Sequence, residues 1–302
     1  RLCLHGVIFV GLAGVETLTQ LVAAVGQALA FTFQPHGLPE TQLLHYLQDK
    51  ELLLVLDNFE QLVNAPTAAF VRQLLDEAPD LKLLITSRVR LHLQGEQLYW
   101  MQGLPVPMTT ATTAQLDVAE LATYSSVQLF LATAQRSQPH YAMTTADAPA
   151  VMAICQLVQG MPLAIELAAA WISVLTPAEI AAELARNLDF LASDLHDLPL
   201  RQRSMRAVFD TSWRLLTAVE QRVFQQLSVF RGSFTRAAAQ AVTGVSLPVL
   251  ISLLHKSFLQ RIADDRYQIH ELLRQFGEEK LAETPTIQTE ALDRHSDYYL
   301  TF

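Results

Sequence analysis

The sequence predicts an α/β domain built on a parallel sheet, followed by an all-α remainder. Three observations carry this. Over residues 6–101, short apolar runs of strand length alternate with amphipathic helical stretches, the pattern of βαβ units. After a Pro- and Thr-rich stretch at 104–116, residues 125–192 keep helical periodicity alone. From about residue 199 a third texture begins, in which helices are followed by two short runs separated by the turn-rich ADDR at 263–266.

In chain order, GVIFV (6–10) is a β-branched strand, 16–30 a helix, and Pro39–Gln48 a helix that opens on Pro, where no N–H is needed. ELLLVL (51–56) is a continuous apolar strand of the kind covered on both faces. A helix at 68–77, a strand at Leu81–Ile85 and a fourth strand at 96–101 complete the first domain. Helices at 125–136, 146–158, 162–174 and 177–191 form a bundle, the last introduced by Thr176 as cap and Pro177 as first residue. Helices at 203–216, Ala218–Leu227, 235–242 and 247–256 precede strands at 258–262 and 267–269, an order that reads as a winged helix. A helix at 270–283 follows, and 286–302 begins another element. The expected domains are therefore 1–110 (α/β), 111–195 (helical), 196–284 (winged helix) and 285–302 (start of a C-terminal helical, repeat-like region).

Composition narrows the function classes. At 302 residues the chain holds two or three domains of roughly 100–200 residues each. Hydrophobic residues make up 51% and charged residues 17%, which suits a packed core rather than a disordered chain. A net charge of −9 argues against a protein built to coat nucleic acid. The charge is uneven: residues 201–280 hold 12 Lys/Arg against 7 Asp/Glu, leaving 9 against 23 elsewhere. Such opposed signs serve docking between domains or leave a basic face for DNA. Cys3 and Cys155 are far apart and make no disulfide framework or Cys-based zinc site. No apolar run reaches the roughly 18 residues of a membrane span. The chain starts at Arg1 rather than Met and ends on an aromatic helical pattern, so it is read as part of a longer polypeptide with structure beyond both ends.

Four motifs could carry chemistry. In LLLVLDNFE (52–60), Asp57 ends a buried parallel strand, where open α/β sheets bind ligands. A carboxylate there can hold Mg²⁺ directly or through water beside a nucleotide's phosphates, or it can simply cap the strand. In LLITSR (83–88), Arg88 can reach a terminal phosphate, with Thr86 or Ser87 hydrogen-bonding it; alone, Arg88 could as well pair a surface acid. GMPLAIELAA (160–169) places Gly160 and Pro162 at a helix start, which is also ordinary helix grammar. In YQIHELL (267–273), His270 lies where the second hairpin strand passes into the next helix, a common place for a structural hydrogen-bonder.

In this order and spacing the four motifs resemble the nucleotide-binding core of the STAND-class NTPases, the NB-ARC-type ATPase switches. The likeness is nearest to large bacterial regulators of the AfsR-like and LuxR-type ATPase families. RQRSMRAVFDTSWRLL (201–216), VFQQLSVFRGSF (223–234) and LLHKSFLQR (253–261) extend it through nearly all of 6–283. The resemblance implies a P-loop-NTPase-like first domain, incomplete at its N-terminus, that binds ADP or ATP with Mg²⁺ in the intact protein. Asp57 would position Mg²⁺ as the Walker B acid, Arg88 would sense the γ-phosphate, and Pro162 would pack near the adenine. His270 would reach the β-phosphate of ADP and hold the molecule closed until ATP opens it. Implied partners are the adenine nucleotide, other domains of the same polypeptide (a P-loop upstream and a helical-repeat sensor downstream) and a homo-oligomer on activation. No membrane and no direct DNA contact are expected, and the cytosol is the implied compartment.

The chain departs from the family pattern in three places. GxxxxGK[ST] is absent, since no Gly-Lys pair occurs, and GLAG at 11–14 lacks the Lys and hydroxyl. Asn58 replaces the second Walker B acid, which leaves Glu60 as the nearest other carboxylate for catalysis. Glu271 stands where the family has Asp. Slow or no hydrolysis and weak nucleotide binding are therefore expected of these 302 residues alone. HELLR (270–274) fails the HExxH zinc spacing, and neither GxSxG nor SxxK occurs. Two other readings stand beside the switch. One is a DNA-binding winged-helix regulator, disfavoured because LPVLISLLHK (247–256) has no Arg, Asn or Gln to read bases. The other is a degenerate scaffold that keeps the fold without nucleotide.

Overall fold

A computed structural model describes residues 4–107, 118–186, 188–192, 204–262 and 265–300. Cys3, the second half of the expected linker, the boundaries at 110–111 and 195–196, and the start of the 201–216 motif lie outside them. The chain divides into two compact units, Arg1–Leu98 with His255–Ser257, and Tyr99–Leu254 with Phe258–Phe302.

The first unit runs β1 (Val7–Gly11), α1 (Leu18–Ala28), α2 (Pro39–Gln48), β2 (Leu52–Asp57), a 3₁₀ turn (Phe59–Leu62), α3 (Ala65–Glu77) and β3 (Leu81–Ile85). The strands form a parallel sheet in the order β1-β2-β3, with Gly11 opposite Asp57 and Leu56 opposite Ile85. Helix α1 starts after Thr17 because a capping box closes it there. The Thr17 side chain accepts from Gln20 N–H, and the Gln20 side chain accepts from Thr17 N–H. One sheet face, with Val10, Leu54, Leu56 and Leu81, packs on Leu21, Val25, Leu43, Leu47, Phe70 and Leu74 of the helices. The other face is not covered among the described residues: Val7 and Phe9 are 61% and 64% exposed, and Leu84 is also exposed. The expectation that the β2 run is covered on both faces is thus corrected, since its residues alternate between buried and half-buried. The expected strand at 96–101 is absent as well. Those residues have no strand conformation, and Tyr99 and Met101 are exposed. Aromatic and apolar composition favours a strand only where a neighbouring strand supplies the ladder.

The second unit runs α4 (Val118–Leu121), α5 (Ser125–Ser137), α6 (Ala148–Leu157), α7 (Pro162–Ala170), α8 (Pro177–Arg186), α9 (Met205–Trp213), α10 (Ala218–Leu227), β4 (Phe234–Thr235), α11 (Arg236–Thr243), α12 (Leu247–His255), β5 (Gln260–Arg261), β6 (Arg266–Gln268), α13 (Glu271–Ala282) and α14 (Pro285–Leu300). Two elements are shorter than the sequence suggests. Helix α8 ends at Arg186, with a separate 3₁₀ turn at Leu188–Phe190, and the first hairpin strand is only Gln260–Arg261. Strand β4, not anticipated, pairs antiparallel with β6, giving the order β4-β6-β5. A two-residue strand carries too little periodicity to be read from sequence.

One continuous core links α5, α6, α7 and α8 to α9 through α13. At its centre Trp213 lies edge-on to Phe224 and Phe276, with ring centroids 6.2 and 5.7 Å away, and Phe224 meets Phe258 at 4.9 Å. Trp171 stacks on Phe190 at 5.0 Å and donates its indole N–H to the Phe190 carbonyl. Helix α14 packs on α11 and α13, and its His295 and Tyr299 meet the ring of Phe230. Cys155 is buried in the core, and burial pushes its thiol up to about 11, so it is inert at neutral pH. Among the described residues no single helix is long and apolar enough to cross a membrane.

Candidate functional site

In the first unit the candidate residues gather at the C-terminal ends of β2 and β3. Parallel strands put these ends on one edge, where backbone groups leave the ladder and side chains become available to a ligand. The Thr86 hydroxyl donates to Asp57 Oδ1 at 2.6 Å and accepts from the Asn58 N–H at 3.1 Å. The backbone repeats the tie, with Thr86 N–H donating to the Leu56 carbonyl and Phe59 N–H to that of Thr86, each at 3.0 Å. Thr86 therefore fixes the orientation of the Asp57 carboxylate, a role that the sequence reading, which gave Thr86 to the nucleotide, did not foresee.

Asn58 has φ 67° and ψ 52°, a left-handed conformation that Asn tolerates better than most residues. It turns the chain out of β2 into the 3₁₀ turn that carries Glu60. The Glu60 side chain, 8% exposed, pairs with Arg88 (Nε–Oε1 3.6 Å). Ser87 is engaged locally, donating its hydroxyl to the Val89 carbonyl at 2.6 Å and accepting the Val89 N–H at 3.1 Å. The structure thus joins Asp57, Asn58 and Thr86 by hydrogen bonds and pairs Glu60 with Arg88.

In the second unit Gly160, Pro162 and His270 meet around the turn between α6 and α7. Gln159 and Gly160 both have positive φ, 47° and 69°, which reverses the chain before Pro162 opens α7. The Leu104 N–H donates to the Gly160 carbonyl at 2.8 Å, so the first residue of the stretch read as linker lies directly against this turn. His270 caps α13, with Nδ1 accepting the Leu272 N–H at 3.2 Å. The ring proton of the neutral imidazole must then sit on Nε2, which donates to the Val158 carbonyl at 3.1 Å. Both ring nitrogens are satisfied within the unit.

Burial holds His270 below its ordinary pKa, and the Val158 carbonyl and Glu271 offset part of that. The unfolded chain takes up a proton near the usual value of about 6.5, and the folded chain does so only at lower pH. This contribution is complete above that range and is lost as pH falls through it. His255 and His295 are depressed too, so the test is a comparison. Between pH 7.5 and 5.5, His270→Asn, whose Oδ1 can still cap α13, is expected to lose about 1 kcal/mol less stability than the wild type in urea titrations. Equal losses would place the acid sensitivity elsewhere.

Among the described residues no three His, Cys, Asp or Glu side chains gather to hold a metal. A single strand-end carboxylate such as Asp57 suits Mg²⁺ that takes its remaining ligands from phosphates and water. The described residues thus fit the metal end of a nucleotide site but lack the Lys of a P-loop. No Lys follows a Gly, and the capping box of α1 takes the Gln20 amide of its first turn.

No family model matches the chain. It is 34% identical over 306 aligned residues to a Mycobacterium tuberculosis protein that bears the name of an HTH-type transcriptional regulator, Rv0890c, covering 97% of this chain and 32% of that protein. It is 27% identical over 271 residues to the regulatory protein AfsR of Streptomyces griseus, covering 84% and 24%. The chain spans about a third or less of the length of these curated relatives. Among solved structures it is similar to the Walker-type ATPase PABY2304 of Pyrococcus abyssi, with a TM-score of 0.50 and 11% identity over 90% of this chain and 83% of that one. At that identity the likeness is one of fold: an α/β ATPase-type domain joined to a helical part.

Proposed function

We propose that this chain is the core of an ADP/ATP-dependent switch in a multidomain regulator of the STAND, NB-ARC-like type. The observation that carries the reading is the oriented Asp57–Thr86 pair at the end of the central parallel strand, with Arg88 just beyond the end of the next strand and paired with Glu60. Mg²⁺, when bound with nucleotide, would neutralise phosphate charge there. Asp57 would hold it, and Thr86 keeps the carboxylate turned to the sheet edge. Arg88 becomes a phosphate sensor by exchanging Glu60 for a γ-phosphate oxygen. Asn58 is an amide and a poor base, and Glu60 is engaged by Arg88, so hydrolysis is slow in this reading.

The second unit supplies the response. We read α10, β4, α11, α12, β5 and β6 as a winged helix that follows a helical domain and precedes α14. His270 ties this part to the α6–α7 turn through Val158. For His270 to bind the β-phosphate of ADP, its Nε2–H must leave that carbonyl, so the proton donor is the element that changes partner between states.

The test uses the full-length polypeptide that carries these residues. ADP is expected to give a more compact particle in small-angle scattering than ATP, and His270→Ala is expected to abolish the difference. Failure of millimolar ADP and ATP to bind would end the switch reading in favour of a scaffold. The name of the mycobacterial relative keeps a DNA-binding reading in view. Leu247 and Ile251 on α12 are part-exposed and apolar, however, a poor surface for base edges. A salt-dependent operator complex formed by this chain alone would favour that reading instead.

A further inference from the structure

We propose that the cleft between α10, the α11–α12 turn and α14 binds a small amphipathic organic anion, with a carboxylate or phosphate head on a short apolar body. None of its lining residues belongs to the nucleotide set, so the proposal stands apart from the switch reading. The cavity measures about 550 Å³, within the range of small-molecule sites and larger than a bare phosphate ion needs.

Its walls divide by chemistry. Val223, Val245 and Val249 give an apolar floor. Arg222 and Arg294 stand at the rim, and no Asp or Glu lines the cleft among the described residues. Among the described residues no ion pair engages the Arg222 side chain, and Arg294 pairs with Glu290, one turn away at 3.6 Å. The nine-residue α12 begins at the cleft, with Ser246 and Val249 lining it, so the positive end of its dipole faces the same space.

Gln226, 3% exposed, also lines the cleft. Its amide can both donate and accept, and in the same lining as Arg222 and Arg294 it suits an oxyanion whose second oxygen is held by Arg222.

The experiment measures binding to the purified chain by saturation-transfer NMR and calorimetry at constant ionic strength, using n-hexyl phosphate, n-hexanoate, inorganic phosphate and 1-hexanol. The two amphipathic anions should bind saturably, and phosphate and hexanol about ten-fold or more weaker, because each lacks one half of the complement. Arg222→Gln should weaken hexyl phosphate about ten-fold, and the near-isosteric Gln226→Glu should do at least the same by repulsion. Arg231→Gln, an exposed arginine outside the cleft, should change nothing. The proposal fails if neither amphipathic anion binds, if inorganic phosphate binds equally well, or if both cleft variants leave affinity unchanged.

Discussion

Gly160→Ala is expected to lower the stability of the second unit by about 3–4 kcal/mol, whereas Gly244→Ala in the same unit costs about 1 kcal/mol. The two glycines have nearly the same backbone angle, φ 69° and 68°, so the torsional cost of adding a Cβ is the same. Their surroundings differ. Nothing lies within 4 Å of a Cβ at Gly244, while one at Gly160 would run into the carbonyl oxygen and amide nitrogen of Leu104. These are backbone atoms and cannot rotate away. The same backbone donates the 2.8 Å hydrogen bond to the Gly160 carbonyl, so relief of the clash breaks that bond too. Urea midpoints of the two variants check this. Equal midpoints would mean that the backbone at Leu104 yields freely and that the close approach is not a constraint.

Asp57→Asn in the full-length polypeptide is expected to weaken Mg²⁺-dependent ATP binding by one to two orders of magnitude, with little effect on stability. The substitution keeps size and an acceptor for the Thr86 hydroxyl but removes the charge a divalent ion requires. Thr86→Val should give a smaller loss of the same kind, because the carboxylate stays and only its orientation is released. Titrations with and without Mg²⁺ separate the two effects: Asp57→Asn should make affinity nearly independent of the metal, and Thr86→Val should retain part of the dependence. Wild-type affinity for MgATP in Asp57→Asn would remove Asp57 from the metal site.

The sequence predicted elements well where periodicity was long or a cap marked an end. The three parallel strands, the Pro-initiated helices at Pro39 and Pro162, and α10 after Thr217 all lie within a few residues of their expected places, because short apolar runs, an initial Pro and a side-chain cap act locally. What was misread depends on partners distant in sequence. Residues 96–101 look like a strand but have no ladder, and β4 is too short to show a pattern. The site is legible to a similar depth. LLLVLDNFE and LLITSR announced that two strand ends would meet. The division of labour there was hidden, with Thr86 orienting Asp57 and Arg88 tied to Glu60, because pairing between side chains 28 or 29 residues apart leaves no periodic trace. Gln226 was missed altogether, since a Gln on an amphipathic helix reads as solvent-facing until its environment is known.

The placement of tryptophan has a practical corollary. All three, Trp100, Trp171 and Trp213, belong to the second unit, and two of them touch aromatic rings of its core. Intrinsic indole emission is therefore silent about the α/β unit. An unfolding curve followed by tryptophan fluorescence alone reports the helical unit, while far-ultraviolet circular dichroism reports both. If the two units melt separately, the two traces will not superimpose. The gap between them then gives the stability of the unit that holds Asp57 and Arg88, with no label introduced.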